Sequence, residues 1–440
     1  MGKYQEYPEY RGSEIGWLEA IPSHWLEERV KHISSNLDYK RIPLSAEERG
    51  NRQGEYPYYG ASGVIDKVDD YLFDEETILF GEDGANLLSK STPLAFLASG
   101  KYWVNNHAHI LKPLDGIYSF WVNSLNNLDI SAVVSGSAQP KLTAEALGNL
   151  AVVYPPSVEE RQKIANFLDH ETAKIDILIE KQQQLIKLLK EKRQAVISHA
   201  VTKGLNSEAQ MKDSGVEWLG EVPEHWVVTP LAGVADVVDP NPSHRNPKYT
   251  DDGFPFISTV EFTGVDDVET NTPRRVAEET VLEQEKRCNF QEGSIAFSRK
   301  GTIGAVRILP HNIRFALLDS VCVINCGERI LHEFLYQQCR SSLFESQLGA
   351  ETRGAALKQV SVGRVRGVKT FLPPLNEQTT IVTYLNQALS KLDKTMGLAN
   401  KQVSFLRERR TALVSAAVTG KIDVRNWQAP EQVSKQQEAG

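Results

Sequence analysis

The sequence has no long apolar run and very little cysteine. No stretch approaches the ~20 apolar residues that a membrane helix needs. The polar N-terminus, MGKYQEYPEYRGSEIG, lacks the apolar segment of a secretory signal, so we expect a cytoplasmic protein with no membrane partner. Four cysteines in 440 residues are too few for a disulfide scaffold. No further ligand pair stands at zinc spacing, so we expect buried free thiols at Cys288, Cys322, Cys326 and Cys339.

The usual catalytic motifs are missing as well. The chain has no Gly-x-x-x-x-Gly-Lys-Ser/Thr loop for a nucleotide, no Gly-x-Ser-x-Gly elbow, no Glu-x-Lys pair and no acidic cluster for two-metal chemistry. Tyr154 and Leu372 precede the two Pro-Pro pairs, where an amino-methyltransferase needs Asn or Asp. These absences favour a non-catalytic chain with no metal or cofactor of its own. An enzyme with an unrecognised site is the alternative.

One pair of histidines is closely spaced. His107 and His109 form HAH in a predicted strand, where alternate residues face the same side. A metal site would need a third ligand, which the sequence does not place. Packing or a nucleic-acid contact is therefore the favoured interpretation.

The clearest positive feature is an internal duplication. GWLEAIPSHW at residues 16–25 returns as EWLGEVPEHW at 217–226. VVYPPSVEERQKIANFLD at 152–169 resembles TFLPPLNEQTTIVTYLN at 370–386. AVISHAVTKGL at 195–205 likewise resembles ALVSAAVTGKI. Each half therefore has two framework pieces around a variable stretch, which is the pattern of a scaffold that presents two interchangeable modules.

A long helix is predicted after each Pro-Pro pair. Ser157 is a candidate N-cap, with Glu159 and Glu160 in the first turn. The heptad positions predicted for the two helices are Leu168, Ile175, Leu178, Leu185, Leu189 and Val196, and then Leu385, Ala388, Leu392, Ala399, Leu406 and Leu413. The polar residues predicted to interrupt these seams are Glu171, Gln182 and Lys192, and then Thr395, Gln402 and Arg409. We expect the helices to pair as an antiparallel coiled coil; the alternative is that each packs on its own domain.

The variable stretches consist of short predicted strands, glycine-rich turns and some helix, which indicates α+β modules. ETILFGEDGA in the first and GSIAFSRKGT in the second align as a strand followed by a polar loop. The fold class expected is thus α+β, with two such modules joined by two long helices in a pseudo-twofold repeat.

Charge is unevenly distributed. The chain has 49 basic and 57 acidic residues, a net charge of −8, which by itself argues weakly against nucleic acid. Residues 84–114, 293–318 and 353–372, however, contain basic residues and no carboxylate. Such runs, rich in Gly, Ser, Thr and Gln, are suited to a phosphate backbone and to base edges. Solvated loops are the alternative for any single run.

In these motifs the chain resembles the specificity subunit of type I restriction–modification systems. The resemblance is carried by the two WLxxxPxHW phrases, YPYYGASGVID at 56–66, ILFGEDGA at 78–85, SGSAQPKLTAEAL at 135–147 and IAFSRKGTIG at 295–304, together with the Pro-Pro helix starts. It covers nearly the whole chain. GAALKQV at 354–360 and SVEERQ after the first Pro-Pro pair depart from the usual pattern.

The resemblance implies two target-recognition domains, each reading one half of a bipartite, gapped site in double-stranded DNA. It also implies that the helices set the spacing and dock two methyltransferase subunits, through which restriction subunits join. S-adenosylmethionine, ATP and magnesium would be bound by those partners, in an enzyme that methylates adenine and cleaves DNA. The segments expected are a first domain at residues 1–155, a central helix at 156–205, a second domain at 206–372, a distal helix at 373–424 and a flexible tail at 425–440.

The DNA-contacting residues predicted lie in the polar loops of both modules. Arg and Lys can donate to guanine, and Asn and Gln can pair with adenine. In the first module they are Gly81, Glu82, Asp83, Asn86, Lys90, Gln139 and Lys141; in the second they are Ser298, Arg299, Lys300, Thr302, Arg353, Lys358 and Gln359. A coiled-coil scaffold or adaptor that does not bind DNA is the competing hypothesis.

Overall fold

The computed structural model describes residues 4–136, 139–216, 220–241, 247–264, 266–349 and 359–429. By its packing the chain divides into unit 1, residues 1–182 with 401–440, and unit 2, residues 183–400. Among the described residues, no helix combines the length and the apolar character that crossing a membrane requires.

The described part of the chain contains short strands, shorter helices and two very long helices. The strands are β1 (Tyr10–Gly12), β2 (Ala20–Pro22), β3 (Leu26–Arg29), β4 (Ser34–Asn36), β5 (Gln53–Gly60), β6 (Gly63–Val68), β7 (Phe73–Asp74), β8 (Thr77–Gly81), β9 (Ala95–Ala98), β10 (Lys101–Val104), β11 (Ala108–Pro113), β12 (Ala151–Tyr154), β13 (Met211–Asp213), β14 (Glu221–Pro223), β15 (Val227–Pro230), β16 (Ala235–Val238), β17 (Tyr249–Ile257), β18 (Phe262–Thr263), β19 (Asp267–Val268), β20 (Arg275–Val276), β21 (Ile295–Ser298), β22 (Val306–Ile308), β23 (Ala316–Leu317), β24 (Val321–Cys326) and β25 (Lys369–Leu372). The helices are α1 (Val30–Ile33), α2 (Ala46–Asn51), α3 (Asn86–Ser89), α4 (Tyr118–Asn126), α5 (Ala144–Asn149), α6 (Val158–Lys203), α7 (Glu278–Cys288), α8 (His332–Cys339), α9 (Ser342–Gly349), α10 (Val362–Gly367) and α11 (Leu375–Val418). Single 3-10 turns occur at Asp38–Lys40, Leu231–Gly233 and Thr259–Glu261.

The two units share one sheet topology. Unit 1 contains an antiparallel sheet in the order β4-β11-β8-β9, and unit 2 contains its counterpart in the order β16-β24-β21-β22. In unit 1, β5 pairs in parallel with β10 and antiparallel with β6. In unit 2, β17 pairs in the same two ways with β23 and β20. The α+β class and the internal duplication expected from the sequence are confirmed.

The central strands β8 and β21 are buried on both faces, which explains their unbroken apolar sequences. Because side chains alternate across a strand, Ile78 and Phe80 enter the main core of unit 1 while Leu79 enters a second, smaller core. In unit 2, Phe297 and Ala296 divide in the same way. A strand held from both sides has a fixed end, and the polar loop that follows it therefore begins at a fixed place.

The repeated Trp-containing phrase anchors each unit to the first turn of a long helix. Trp25 is buried, and its indole N–H donates to Glu160 of α6 at 3.2 Å. Trp226 does the same with Glu377 of α11 at 3.1 Å. Through these two tryptophans the phrase therefore packs into the base of each module. Trp17, in contrast, remains 38% exposed.

The predicted seam of α6 is wrong at three positions, because Lys192, predicted to interrupt it, is exposed, and so are two of the predicted leucines. Leu178 and Leu185 are 46% and 40% exposed, and the half-buried positions are instead Ile179 and Ile186. A heptad seam advances alternately by three and four residues. The seam in the structure goes from Ile175 to residue 179, whereas the prediction advanced by only three.

In α11 the predicted apolar positions are right, but the predicted polar interruptions are wrong. Its predicted apolar positions are buried or half-buried, but the polar residues predicted to interrupt the seam, Thr395, Gln402 and Arg409, are exposed. Val403 lies in the seam beside Gln402 and is 8% exposed. The polar residues therefore lie on the solvent side and do not break the apolar contact.

Ion pairs fix the direction in which α6 and α11 run. In unit 1, Asp176 of α6 accepts from Arg410 of α11 at 2.9 Å. In unit 2, Arg193 of α6 donates to Asp393 of α11 at 3.0 Å. Residue numbers rise along α6 while those of the partners fall along α11, so the helices are antiparallel, as expected.

The cysteines are free thiols, as predicted, and three of the four are buried. Burial raises the pKa of Cys288 and of Cys322 to about 12. These side chains are therefore protonated, inert packing groups near neutral pH. Of the tail that was expected to be flexible, residues 430–440 lie outside the described residues, whereas Trp427 packs edge-on against Phe167 with ring centroids 5.5 Å apart.

Candidate nucleic-acid interface

The polar loop after β8 in unit 1 is held by backbone bonds to two other segments. The N–H of Glu82 donates to the carbonyl of His107 at 2.8 Å, and the carbonyl of Glu82 accepts from the N–H of Leu142 at 2.8 Å. The structure thus brings together the two stretches predicted from the sequence, residues 81–86 and 139–141.

Glu82 lies at the centre of this cluster between two cations. Its carboxylate is largely buried and pairs with Arg41 at 2.5 Å and with Lys141 at 3.1 Å. Burial acts to raise the pKa of Glu82, but the hydrogen bonds from Arg41 and Lys141 outweigh it, so the pKa is lowered overall. Glu82 is therefore ionised at neutral pH and holds the loop in place.

A buried histidine completes the cluster. His109 is 1% exposed; its Nδ1 lies 2.6 Å from Asp38, and its Nε2 lies 2.9 Å from the carbonyl of Leu142. Burial acts to lower the pKa of His109. The hydrogen bonds to Asp38 and to the carbonyl of Leu142 act to raise it and outweigh burial, so the pKa is raised overall. Both neighbours are acceptors, and an imidazolium satisfies both of them.

The exposed part of the loop consists of a second acid–base pair. Asp83 accepts from His107 Nδ1 at 2.7 Å, and the histidine side chain is 50% exposed. The expectation that His107 and His109 face the same side is wrong, because β11 begins at Ala108 and His107 lies in the preceding turn. Within the described ranges, no group of three or more potential ligands could hold a metal ion. Gln139 is exposed, two residues before Lys141, which forms an isolated bridge with Asp83.

Asn86 and Lys90 are occupied by local hydrogen bonds. The amide oxygen of Asn86 accepts from the N–H of Thr92 at 3.0 Å. Lys90 has a left-handed backbone with φ 45°, and its ammonium donates to the carbonyl of Leu128 at 2.8 Å. Both side chains shape the segment after α3 and do not join the Glu82 cluster.

Unit 2 builds the same loop with the same backbone bonds. After β21, the N–H of Arg299 donates to the carbonyl of Ser320 at 2.7 Å, and the carbonyl of Arg299 accepts from the N–H of Val360 at 2.9 Å. Lys300 and Gln359 form an isolated bridge, as Asp83 and Lys141 do in unit 1.

The residue at the centre of the second loop carries the opposite charge. Arg299 occupies the place that Glu82 has in unit 1; it is 2% exposed and pairs with Asp239 at 2.8 Å. Its guanidinium also donates to the carbonyl of Asp319 at 2.9 Å. In this conformation Arg299 braces the loop and does not face solvent.

The outer pair of the second loop also has its charges reversed relative to unit 1. Lys300 pairs with Asp319 at 2.6 Å, where unit 1 has Asp83 with His107. Thr302 and Gln359 are exposed next to it. The two remaining predicted contacts, Arg353 and Lys358, lie outside the described residues.

Two of the predicted residues, Gly81 and Ser298, end the central strands, and neither has a side chain that is available to contact DNA. Ser298 is fully buried. A Cβ atom added to Gly81 would lie 2.9 Å from the carbonyl oxygen of Ala61, so this position requires glycine. Both residues contribute to the shape of their loops.

The carboxylate-free runs are opposed in space by acids from elsewhere in the chain. Lys112 pairs with Glu75 at 2.5 Å, and Arg314 pairs with Glu278 and Glu285 at 2.7 and 2.8 Å. A run without carboxylates in the sequence is therefore not an unpaired basic surface.

The partners that brace each loop, above all Asp38 and Asp239, were not predicted from the sequence. The signal was available, since both follow the second tryptophan of the repeated phrase, Trp25 or Trp226, by the same number of residues. Extending the alignment of the repeat beyond that phrase would have found them.

A known family matches the chain over most of its length. The family described as "Type I restriction modification DNA specificity domain" matches residues 23–188 and, again, residues 223–402. The two matches contain the two loops described above, one in each unit.

Curated relatives and a solved structure cover nearly the whole chain. The "Type I restriction enzyme MjaVIII specificity subunit" of Methanocaldococcus jannaschii is 21% identical, covering 96% of this chain and 98% of that protein. The "Type I restriction enzyme EcoDI specificity subunit" of Escherichia coli is 20% identical, covering 95% and 94%. A structure described as "Structural basis underlying complex assembly and conformational transition of the type I R-M system" has a TM-score of 0.65 at 14% identity, covering 91% of this chain and 99% of that one. At that identity the likeness shows the fold alone.

Proposed function

The chain belongs to the family of type I restriction modification DNA specificity domains, and from that premise we propose that it is the DNA-specificity subunit of a type I restriction–modification enzyme in the cytoplasm. Each unit reads one half of a bipartite, gapped site in double-stranded DNA. The chain itself is not catalytic, and it directs the methylation and cleavage that partner subunits perform.

The observation that carries this proposal is the reversal of charge between two identical loop frameworks. Glu82 and Arg299 have the same backbone bonds but opposite partners, Arg41 and Asp239. A framework that keeps its geometry while its polar groups change can present different donors and acceptors to DNA. A protein recognises a DNA sequence by matching its own donors and acceptors to those at the base edges.

The exposed groups of each loop are the ones we assign to DNA. In unit 1 these are Asp83, Gln139 and Lys141, with His107 as a further candidate. In unit 2 they are Lys300, Thr302 and Gln359, together with Arg353 and Lys358, which remain predictions. Glu82 and Arg299 hold their loops in place and act through these neighbours.

The long helices serve as the docking site for two methyltransferase subunits, through which restriction subunits join. Exposed apolar side chains on α6 support this assignment, among them Leu185 at 40% and Leu188 at 60% exposure. S-adenosylmethionine, ATP and magnesium are bound by those partners, and the chain contributes no ligand to them.

The test is methylome sequencing of a host that expresses the chain with its methyltransferase partner, with and without the variants Lys300→Ala and Lys141→Ala. We expect one bipartite motif with methylated adenine, and a change confined to one half-site in each variant. Methylation by the chain alone, or a motif that neither variant alters, would contradict the proposal. The latter result, with assembly intact, favours an adaptor that does not bind DNA.

A further inference from the structure

Each unit exposes aliphatic side chains at the tip that follows its long strand. In unit 1, the turn between β5 and β6 leads into Val64 and Ile65, which are 52% and 56% exposed. In unit 2, the 3-10 turn after β17 carries Val260, which is 75% exposed. Single exposed aliphatic residues are normal on protein surfaces, so exposure alone does not indicate a binding site. These three residues are distinguished by their position and by the hydrogen bonds that hold their turns.

The tip in unit 1 adjoins the exposed pair of the polar loop. The N–H of Asn105 donates to the carbonyl of Tyr59, the residue before the tip, at 3.0 Å. The side chain of Asn105 in turn accepts from the N–H of His107 at 2.8 Å. The carbonyl oxygen of Ala61 lies against Gly81, at the start of the loop. Two connections therefore hold the tip beside Asp83 and His107.

The tip in unit 2 is held by a buried network of hydrogen bonds around Glu261. Glu261, next to Val260, is 4% exposed and accepts from the backbone N–H and the hydroxyl of Ser258 at 2.8 and 2.9 Å. Thr272 donates to the same carboxylate at 3.0 Å, and Arg274 pairs with it. This buried network fixes the turn that presents Val260.

The tip in unit 2 also adjoins the charged pair of its own loop. Leu318 donates its N–H to the carbonyl of Ile257, the last residue of β17, at 2.9 Å. The next residue, Asp319, pairs with Lys300. The position of Val260 relative to its charged pair thus repeats the arrangement around Val64 and Ile65.

The two tips differ in length and in most of their residues, GASGVI in one and STVEF in the other. A different turn and a different bracing network nevertheless place aliphatic methyl groups beside the polar loop in both units. The common factor is the neighbouring surface that we assign to DNA. In the major groove of DNA, the apolar group that distinguishes a base pair is the C5-methyl group of thymine.

We propose that Val64 with Ile65, and Val260, contact thymine methyl groups, each in the half-site that its own unit reads. The inference rests on the proposed function and adds an apolar readout to the polar one. Burial of one methyl group against these side chains changes affinity by about fourfold.

The experiment uses the chain in complex with its methyltransferase partner and duplexes carrying its own methylated motif. Each thymine of a half-site is replaced in turn by uracil, which removes the methyl group alone. With the unaltered chain, we expect one replacement per half-site to weaken binding about fourfold. In Val260→Ala the same replacement in the half-site of unit 2 has no further effect, and in the double variant Val64→Ala, Ile65→Ala the corresponding replacement in the other half-site has none.

Matched controls are Val227→Ala in unit 2 and Val158→Ala in unit 1, since these valines are 47% and 53% exposed and belong to neither tip. They should keep the full response to uracil. If the tip variants keep it too, or if no thymine position responds in the unaltered chain, the inference is wrong although specific binding, and with it the proposed function, remains. If the tip variants bind normally but lose the methyltransferase partner, the tips are protein contacts and the inference is also wrong. Loss of specific binding by the unaltered complex would contradict the proposed function itself.

Discussion

The loop after β8 in unit 1 and the loop after β21 in unit 2 have the same backbone and opposite charges. Glu82 is buried between cations, whereas Arg299 is buried against Asp239 and the carbonyl of Asp319. The backbone bonds that position each loop do not depend on the side chain at its centre. A buried charge of either sign is accepted provided that it is paired. The comparison shows how one fold can present different polar groups without changing its frame.

The largest effect should follow from breaking the pair in unit 2. Arg299→Met keeps the length of the side chain but leaves Asp239 without its cation. Breaking a buried pair costs roughly 3 kcal/mol at the lower end of the usual range, which applies because Asp239 is partly exposed. We expect faster amide hydrogen exchange around residues 299–302 and loss of recognition of one half-site. Lys300→Met, at the partly exposed neighbouring pair, is the matched control for the hydrogen-exchange measurement only, since we assign Lys300 to DNA. Equal destabilisation by both variants would contradict the assignment of Arg299 as the brace.

A smaller effect should be a pH dependence of stability that unit 1 has and unit 2 lacks. His109 faces Asp38, Glu82 and, through them, Arg41. Its pKa is raised in the folded protein, so its contribution to stability is complete below the unfolded value near 6.5 and is lost as the pH rises through the raised value. The lowered pKa values of Asp38 and Glu82 matter only in acid.

Hydrogen exchange corrected for intrinsic rates, measured between about pH 6 and 9, should therefore show the loop at residues 81–86 losing protection, while the loop at 298–302 keeps it. The bracing pair of the second loop, Arg299 with Asp239, contains no histidine. His109→Asn should abolish the pH response of unit 1. A response that survives in this variant would show that another group carries it.

The smallest effect should be equal in the two units. Trp25→Phe and Trp226→Phe keep a buried ring but remove the indole donor to Glu160 or Glu377. Each should cost about 1 kcal/mol, the usual net value of one hydrogen bond, measured by denaturant unfolding of the complex. Trp17→Phe, at an exposed ring, should change nothing. Clearly unequal costs would mean that the anchoring of the two units has diverged along with their loops.

Much of the architecture could be predicted from the sequence because it depends on local pattern and on repetition. The heptads predicted two long helices, and the duplicated phrase predicted two units of one topology. The strand-then-loop alignment of ETILFGEDGA with GSIAFSRKGT identified the two loops that the structure places at equivalent sites. The conspicuous basic residues were predicted less well, since Arg299, Lys112 and Arg314 all find acids that are distant in the sequence.

The sequence by itself determined that the chain is a duplication, that long helices join its halves, and that a polar loop follows a buried strand in each half. These properties are encoded by neighbouring residues and by periodicity. Only the tertiary structure decided which side of each loop faces inwards, that Glu82 and Arg299 are braces, and that Ile179 lies in the helix seam where Leu178 was predicted. Those outcomes depend on partners such as Arg41 and Asp239, which reach the loops through folding and have no fixed spacing to them along the chain.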